Sequence, residues 1–191
     1  MTEAITPKLK RVWSEECAAQ IVEFAVSLPL LVLFVVGIFD FSNAITLKQR
    51  LINAARETAR VAAADPANDL GAPSAPVPAS IGDAFQVADN YLIAEKINDC
   101  GLAGAGAPAV AGLTWTYTST GTCPGAGISL VINRGCVNQI PTTPGVLNLI
   151  GTCVTISYAY KWQFNNVAAT FGWTSPALNT MTVTAGAFNE N

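Results

Sequence analysis

Hydrophobic and polar positions divide the 191-residue chain into three parts. Residues 24–39 form a run of sixteen residues without a charge, and residues 18–22 lengthen it to about twenty. Residues 42–64 then show apolar positions at helical spacing: Leu47, Leu51, Ala54, Thr58 and Val61 or Ala62. Further on, segments rich in threonine and β-branched residues alternate with Gly- and Pro-rich stretches. This order predicts a long N-terminal helix followed by a mixed domain.

The apolar run has three interpretations. A helix of about twenty residues spans a ~30 Å hydrocarbon core. A buried core helix is disfavoured because nothing amphipathic interrupts the run. A cleaved secretory signal would use the basic residues 8–11 and a cut after Ala44, but the run exceeds a usual apolar h-region and Asp40 precedes the cut. We therefore predict a cytoplasmic leader over residues 1–18, a transmembrane helix over residues 19–41 and its extension over residues 42–64.

The extension is followed by a proline-rich linker, predicted over residues 65–80. Proline disfavours helix at the preceding residue, so Asp65-Pro66 ends the long helix. The pattern leaves open whether residues 42–64 form a solvated stalk or a packed interface. Ser80-Ile81-Gly82-Asp83 has the form of a capping box, which predicts a second helix from residue 81 to about Asn98. Its carboxylates are expected on a solvated face: Asp83, Asp89, Glu95 and Asp99.

The rest of the chain predicts about four strands. They cover residues 113–119, 128–133, 153–164 and 179–188. The fold class is therefore α+β: the long helix, a second helix and a small antiparallel sheet within an extracytoplasmic domain of residues 81–191. Trp115 and Trp162 are expected in the sheet core rather than in a sugar-binding platform.

Charge is scarce and unevenly placed. Only 12% of the residues are charged and the net charge is −3, which argues against nucleic-acid binding because no basic face is available to neutralise phosphates. From Cys100 to Asn189 only Arg134 and Lys161 carry a charge. This composition is typical of an extracytoplasmic segment and not of a cytosolic enzyme.

Five cysteines lie on the two sides of the apolar run. Cys17 precedes it and is expected to be an inert thiol rather than a lipid attachment site. Four cysteines follow it, without CxxC spacing and in a chain without histidine, so a zinc site is poorly supported. Of the three connectivities we favour Cys100–Cys123 with Cys136–Cys153, while one bridge with two free thiols remains the alternative. An oxidising compartment for this part of the chain follows.

The sequence carries few signs of catalysis. Histidine, the commonest general base, is absent, and no GxSxG motif, phosphate loop or carboxylate cluster is present. We expect no enzymatic activity, no cofactor and no metal.

Glu23 is the one charged residue between Cys17 and Phe39. An ionised carboxylate within a membrane-spanning helix costs roughly 2.5–3.5 kcal/mol near the helix centre. Glu23 either lies at the membrane interface near the helix N-terminus, where the helix dipole favours an acid, or requires a cationic partner.

Several motifs around this acid resemble the N-terminal signature of TadE-like proteins, the pseudopilins of tight-adherence (Flp-type) pili. They are Val22-Glu23-Phe24, Leu28-Pro29-Leu30-Leu31, Gly37-Ile38-Phe39-Asp40-Phe41 and Asn53-Ala54-Ala55-Arg56-Glu57-Thr58-Ala59-Arg60. The resemblance covers about 48 residues. It implies a pilin-like plan and a structural role in pilus assembly at the bacterial cytoplasmic (inner) membrane, with the N-terminus in the cytoplasm.

The resemblance also implies a processing site. In prepilin-type sequences the leader is cut after a glycine, and a glutamate stands at the fifth mature position. Here the cut falls between Ala18 and Ala19, so that Glu23 becomes the fifth residue and Phe24 the sixth. Glu23 would then pair with the new amine, its own or a neighbour's. The implied partners are other pilins and pseudopilins, the assembly machinery, a prepilin peptidase and membrane lipid.

A second hypothesis comes from a different class. The chain is then an anchored or secreted binding domain, adhesin-like, whose ligand contacts the strands that bear tryptophan and asparagine. The mature N-terminus separates the two: Ala19 for the pilin route, Ile45 for a secreted protein and Met1 for an uncut anchor.

Overall fold

The computed structural model describes residues 6–71, 77–121, 123, 127–142, 145–163, 169 and 180–189. Two α-helices, α1 (Thr6–Ala64) and α2 (Ala79–Ala94), flank a short 3₁₀ helix at Ala67–Gly71. A second 3₁₀ turn, Leu102–Gly104, precedes five strands: β1 (Ala109–Ala111), β2 (Thr114–Ser119), β3 (Ile128–Thr142), β4 (Gly145–Ala159) and β5 (Thr180–Phe188). The predicted α+β class is confirmed.

The chain forms two compact units. The first contains residues 1–43 and 162–176, and the second contains residues 44–161 and 177–191. We call the second the sheet unit, because it holds α2 and all five strands together with the last part of α1.

The last part of α1 is a packed element and not a solvated stalk. Leu51, Ala54, Ala55, Ala59 and Ala62 are fully buried, and they belong to the same core as the sheet. The helix ends at Ala64, where Asp65-Pro66 predicted its end. The repeated alanines keep this face flat, so the buried stripe is a packing surface and the opposite face carries the charges.

Two local bonds support the same part of α1. On the exposed face, Arg60 Nη1 lies 3.2 Å from Glu57 Oε2, an ion pair at i,i+3 spacing. On the buried face, Thr58 Oγ1 donates to the carbonyl of Ala54 at 2.8 Å. The threonine hydroxyl is thereby satisfied within the core.

The sheet is an antiparallel meander in the order β1-β2-β3-β4-β5. Its register aligns large apolar side chains across the strands, and these form the inner face: the row Trp115, Ile132, Val154, Ala185 and the row Tyr117, Leu130, Ile156, Val183. All eight are buried. Trp115 therefore lies in the sheet core, as expected from the sequence.

The outer face of the sheet carries hydroxyl groups. One row across four strands contains only Ser and Thr: Thr118, Ser129, Ser157 and Thr182. Adjacent hydroxyls are bonded, Thr155 to Thr184 at 2.9 Å and Ser157 to Thr182 at 3.1 Å. The outer face is therefore made polar by hydroxyl groups, and none of these positions carries a charge.

Strands β3 and β4 extend far past the predicted bounds. We expected residues 128–133 and 153–164, whereas each strand has fifteen residues and β4 ends at Ala159. The pairing register of β3 with β4 shifts between Asn133 and Cys136, and Gly135 lies at this shift. The backbone N–H of Gly135 donates to Asn133 Oδ1 at 2.8 Å. A Cβ at Gly135 would lie 3.0 Å from Leu113 Cδ1, so the glycine permits close packing there instead of ending the strand.

Beyond this shift, β3 and β4 pair with each other, and among the described residues only Gly151 also pairs with a further strand, at Phe188 of β5. Residues 136–142 face residues 145–151, and we call this pair the hairpin arm. Among the described residues, β2 pairs no further than Asn133, and β5 reaches only Gly151. Exposed apolar side chains cover the arm: Val137, Val146, Leu147 and Ile150. No charged residue lies between Gly135 and Thr152.

The four downstream cysteines form the two bridges that the sequence favoured. Cys100 pairs with Cys123 at a Cα–Cα distance of 5.1 Å, and Cys136 pairs with Cys153 at 5.9 Å. Both distances lie in the ordinary disulfide range. The second bridge crosses the base of the hairpin arm.

The first bridge, Cys100–Cys123, joins two segments that lie in close contact. Ser119 Oγ donates to the Cys100 carbonyl at 2.6 Å. Gly121 has φ +21° and lies so close that an added Cβ would collide with the same carbonyl. Only glycine fits this position, because any side chain would separate the two loops that the disulfide joins.

The predicted capping box at Ser80–Asp83 is wrong. Helix α2 begins at Ala79 with Pro78 as its N-cap, so Ser80 lies within the first turn. The acceptor for its N–H comes from elsewhere: Asp69 Oδ2, eleven residues earlier, accepts it at 2.9 Å. The helix also ends at Ala94 rather than near Asn98, and Lys96 just beyond it has φ 56°. A carboxylate near the N-terminus of α2 is stabilising whether it comes from Asp83, as predicted, or from Asp69, as observed.

Arg134 connects three elements at the end of α1. The residue is 1% exposed, and its Nη2 donates to the Asp65 carbonyl at 2.9 Å while its backbone N–H donates to the Leu113 carbonyl at 2.9 Å. Burial lowers the pKa of Arg134, whereas the carboxylates of Asp69 and Asp65 act in the opposite direction. One buried cation therefore joins β3 to the segment that caps α2.

We predict that Arg134→Ala destabilises the sheet unit by about 3 kcal/mol, because it leaves two carboxylates near a buried site without their cation. Urea unfolding followed by tryptophan fluorescence measures the change. Lys161→Ala is the matched control, since Lys161 is the other cation of this region and is exposed. Equal stability of the two variants would contradict the structural role of Arg134.

Candidate functional site

The predicted processing and assembly residues lie on one exposed stretch of α1. Ala18, Ala19, Glu23 and Phe24 all fall within the helix, and the side chains of Ala19, Glu23 and Phe24 are exposed. Ala19 and Glu23 are one helical turn apart, which corresponds to a rise of about 6 Å. Ser27 Oγ donates to the Phe24 carbonyl at 3.2 Å, so this hydroxyl bonds to the helix itself.

Glu23 occupies the centre of a shallow concavity. Its lining follows the i, i+3, i+4 spacing of one helix face: Ala19, Val22, Glu23, Val26, Ser27 and Leu30. Ala19 and Ser27 are small and stand one turn before and one turn after the acid. The carboxylate therefore has small neighbours on its own face, which lets another chain approach it closely.

The helix around Glu23 is apolar on all sides. Large hydrophobic side chains are exposed along it, among them Ile21 at 68%, Val26 at 71% and Ile38 at 69%. An 18-residue window of this helix has a mean hydropathy of 2.6, and no residue of that window is buried. The core helix of a soluble protein is, by contrast, mostly buried. It is long and apolar enough to cross a membrane, so the chain has one N-terminal helix compatible with a single-pass anchor.

Pro29 lies within this apolar stretch without ending the helix. Proline removes one backbone hydrogen bond and normally interrupts helices of soluble proteins. Transmembrane helices tolerate it more often, because the freed carbonyl can be satisfied locally. This tolerance is consistent with a membrane-spanning segment.

Comparison with known proteins identifies the segment that holds these features. A family model described as TadE-like protein matches residues 18–60. This segment is TadE-like. The match begins at Ala18, includes Glu23, and ends at Arg60 within the motif that carried the resemblance. It covers 43 of the 191 residues and associates the chain with Tad pili. No curated protein and no solved structure matches the chain.

The predicted site residues divide between the two units. Glu23 and Phe24 belong to the unit that contains residues 1–43, whereas the four bridged cysteines belong to the sheet unit. Both disulfides therefore cross-link residues within the sheet unit. The side chain of Cys17 lies outside the described residues.

No group of three or more metal-ligating side chains occurs among the residues that the structure describes. The expectations of no metal, no cofactor and no enzymatic activity stay predictions.

The solvated acidic face predicted for α2 is wrong at Asp89. This residue is only 8% exposed. Burial raises its pKa, and the charge of Asp99 together with a hydrogen bond to Asp99 raises it further. Burial also raises the pKa of Tyr158, and Asp99 contributes again. No sequence pattern indicated this pair, because Asp99 lies ten residues after Asp89 and past the end of α2.

Protonation of Asp89 therefore stabilises the fold. Its pKa in the folded state is above the ordinary value of 3.8, so the folded domain binds this proton more tightly than the unfolded chain does. The contribution is fully present below the unfolded pKa and is lost as pH rises through the folded pKa.

We predict that Asp89→Asn raises the stability of the sheet unit at neutral pH, because the amide keeps a hydrogen-bonding group without the buried charge. The gain over wild type should shrink as the pH falls through the raised folded-state pKa of Asp89 and should be lost below the ordinary value of 3.8, where Asp89 is protonated in both states. Urea midpoints across that pH range measure the difference. Asp83→Asn, on the exposed part of the same helix, should change little at any pH. A pH-independent gain for Asp89→Asn would contradict this explanation.

Proposed function

We propose that this protein is a membrane-anchored, pseudopilin-like component of tight-adherence pilus assembly, with a structural role. One observation carries the proposal. Within the TadE-like segment, Glu23 is the only charged residue between Cys17 and Phe39, and it stands one turn after Ala19 on a face with small neighbours. An isolated acid at this place is costly in a membrane, so a function that supplies a cation accounts for it.

Cleavage between Ala18 and Ala19 would supply that cation. The new α-amino group has a reference pKa of about 7.7–8.0 and is largely protonated at neutral pH. Glu23 then pairs with the amine of a neighbouring subunit or with its own. A paired charge is far less costly in a medium of low dielectric than an isolated one. Assembly thereby becomes favourable only after processing, which orders the two events.

The proposed topology places the sheet unit outside the cytoplasm. Both disulfides lie after the apolar helix, and disulfides persist in oxidising compartments. The N-terminal basic residues then remain in the cytoplasm, and the bacterial inner membrane is the site of anchoring. The partners in this proposal are other pilins and pseudopilins, the assembly machinery, a prepilin peptidase and membrane lipid. The net charge of −3 supports no role for nucleic acid.

A second candidate function is an anchored or secreted binding domain. The hairpin arm favours it, because uncharged exposed apolar side chains at the end of a sheet are typical of contact surfaces. In this alternative the arm contacts a ligand, and the N-terminal helix serves only as anchor or export signal.

The mature N-terminus distinguishes these functions. We predict that mass spectrometry of the protein purified from its native membrane finds Ala19 as the first residue. Ala18→Gly should increase the processed fraction, and Ala18→Leu should abolish it, because the peptidase accepts only a small residue before the cut. An N-terminus at Ile45 would support the secreted domain, and Met1 an uncut anchor.

We further predict that Glu23→Ala leaves membrane insertion unchanged but reduces co-purification of partner pilins about tenfold, the effect of leaving a buried amine without its partner. Carbonate extraction measures insertion, and quantitative pull-down measures assembly. Gln20→Ala is the matched control, since Gln20 is exposed on the same helix. Unchanged co-purification would leave Glu23 as an interfacial acid with no role in assembly.

A further inference from the structure

A groove runs between α1 and the outermost strand of the sheet. It has a volume of about 520 Å³ and lies wholly within the sheet unit. Its helix side is formed by Lys48, Ile52 and Arg56, and its strand side by residues 182–186 of β5. The three helical residues follow i, i+4, i+8 spacing, so they share one face of α1. No carboxylate occurs among the described residues that line the groove.

The two cations in the groove differ from Arg50 and Arg60, the other two cations of residues 42–64. Arg50 lies 3.4 Å from a Glu95 carboxylate oxygen, and Arg60 lies 3.2 Å from Glu57. In the part of the chain that the structure describes, neither Lys48 nor Arg56 has such a partner. Both are exposed. Among the described residues, the groove thus has two positive charges without an ion-pair partner.

The strand side of the groove offers backbone groups. Among the described strands, β5 pairs only with β4, so it is an edge of the sheet. In an antiparallel edge strand, alternate residues direct their N–H and C=O away from the paired neighbour. The side chains do not fill this space: Val183 is buried in the core, while Thr182 and Thr184 bond to hydroxyls of β4 on the outer face.

We propose that this groove binds an extended acidic segment of another protein, which adds to the sheet as a sixth strand beside β5. Backbone hydrogen bonds to the edge supply affinity for any extended chain, and side-chain contacts supply selectivity. Lys48 and Arg56 select carboxylates, because they are the charged groups that face the added strand. The inference follows from the groove alone and does not depend on a role in pilus assembly.

The spacing of the cations specifies the ligand further. Eight helical residues separate Lys48 from Arg56, a rise of about 12 Å. Four residues of a strand cover about 13 Å, and positions i and i+4 point to the same side. The segment therefore carries two acidic residues four positions apart, with a small or apolar residue between them opposite Ile52.

An anionic lipid surface is the other class of ligand that two cations attract. It is less well matched, because a headgroup would use the charges and leave the free strand edge without a partner. Binding through charge alone, as to a lipid surface, also does not require backbone N–H groups on the ligand. Dependence on ligand backbone therefore separates the two.

The test uses the full chain in zwitterionic nanodiscs and a fluorescent peptide of alternating Thr and Val with Glu at two positions four residues apart. We expect saturable binding by anisotropy that weakens with salt. The double variant Lys48→Gln/Arg56→Gln should weaken it about tenfold, as does a peptide with Gln in place of Glu. A peptide N-methylated on the edge-facing backbone should not bind.

Arg60→Gln is the matched control, since Arg60 is an exposed cation of the same helix outside the groove. It should leave binding unchanged. Near-UV circular dichroism verifies that the groove variants keep the native fold. The proposal is overturned if the N-methylated peptide binds as well as the parent, which would indicate a merely ionic surface such as lipids use, or if the groove variants bind like wild type.

Discussion

The burial of the alanine face of α1 is the contact on which the sheet unit depends. Leu51, Ala54, Ala55, Ala59 and Ala62 share one core with both rows of the inner sheet face. Small side chains let the helix axis lie close to the sheet, and the large residues come from the strands, above all Trp115. Each alanine contributes little area by itself, so stability comes from continuous packing over several turns. A bulky substitution at any of these positions would separate the layers.

The chain has few charged residues, and the structure assigns several of them a specific interaction. The sheet replaces charges by hydroxyl pairs on its outer face, and its buried cation, Arg134, is held by the segment at the end of α1. The membrane-compatible part of α1 contains one acid between Cys17 and Phe39. In such a charge-poor chain, each remaining ionic group has a strong influence, because few neighbours compensate it. Glu23, Asp89, Lys48 and Arg56 are informative for this reason.

Sequence patterns predicted the architecture well where the signal was local and periodic. The stop at Asp65-Pro66 and the favoured cysteine pairs agree with the structure, whereas the burial of one face of residues 42–64 was one of two alternatives that the pattern left open. The errors arose where a distant residue decides the outcome. The N-terminus of α2 takes its carboxylate from Asp69 instead of from its own capping box, and Asp89 is buried against Asp99.

Strand length was underestimated for the same reason. In the sequence, Gly135 indicates the end of a strand. In the structure the strand continues through a register shift at Gly135, where Leu113 packs against the glycine. The groove beside β5 had no sequence signal at all, since it depends on which strand becomes the edge. The predicted processing and assembly residues, by contrast, stand in one contiguous segment, which the TadE-like family model also matches.

The bridge between Cys136 and Cys153 has a consequence for the hairpin arm beyond stability. Uncharged strands that are free on both edges can slip against each other, since little distinguishes one pairing from the next. The bridge crosses the point where the register shifts, and so it fixes which residue of β3 faces which residue of β4 throughout the arm. The alignment of the arm is therefore set by an oxidation event. The redox state of the compartment decides which side chains the arm displays on each face.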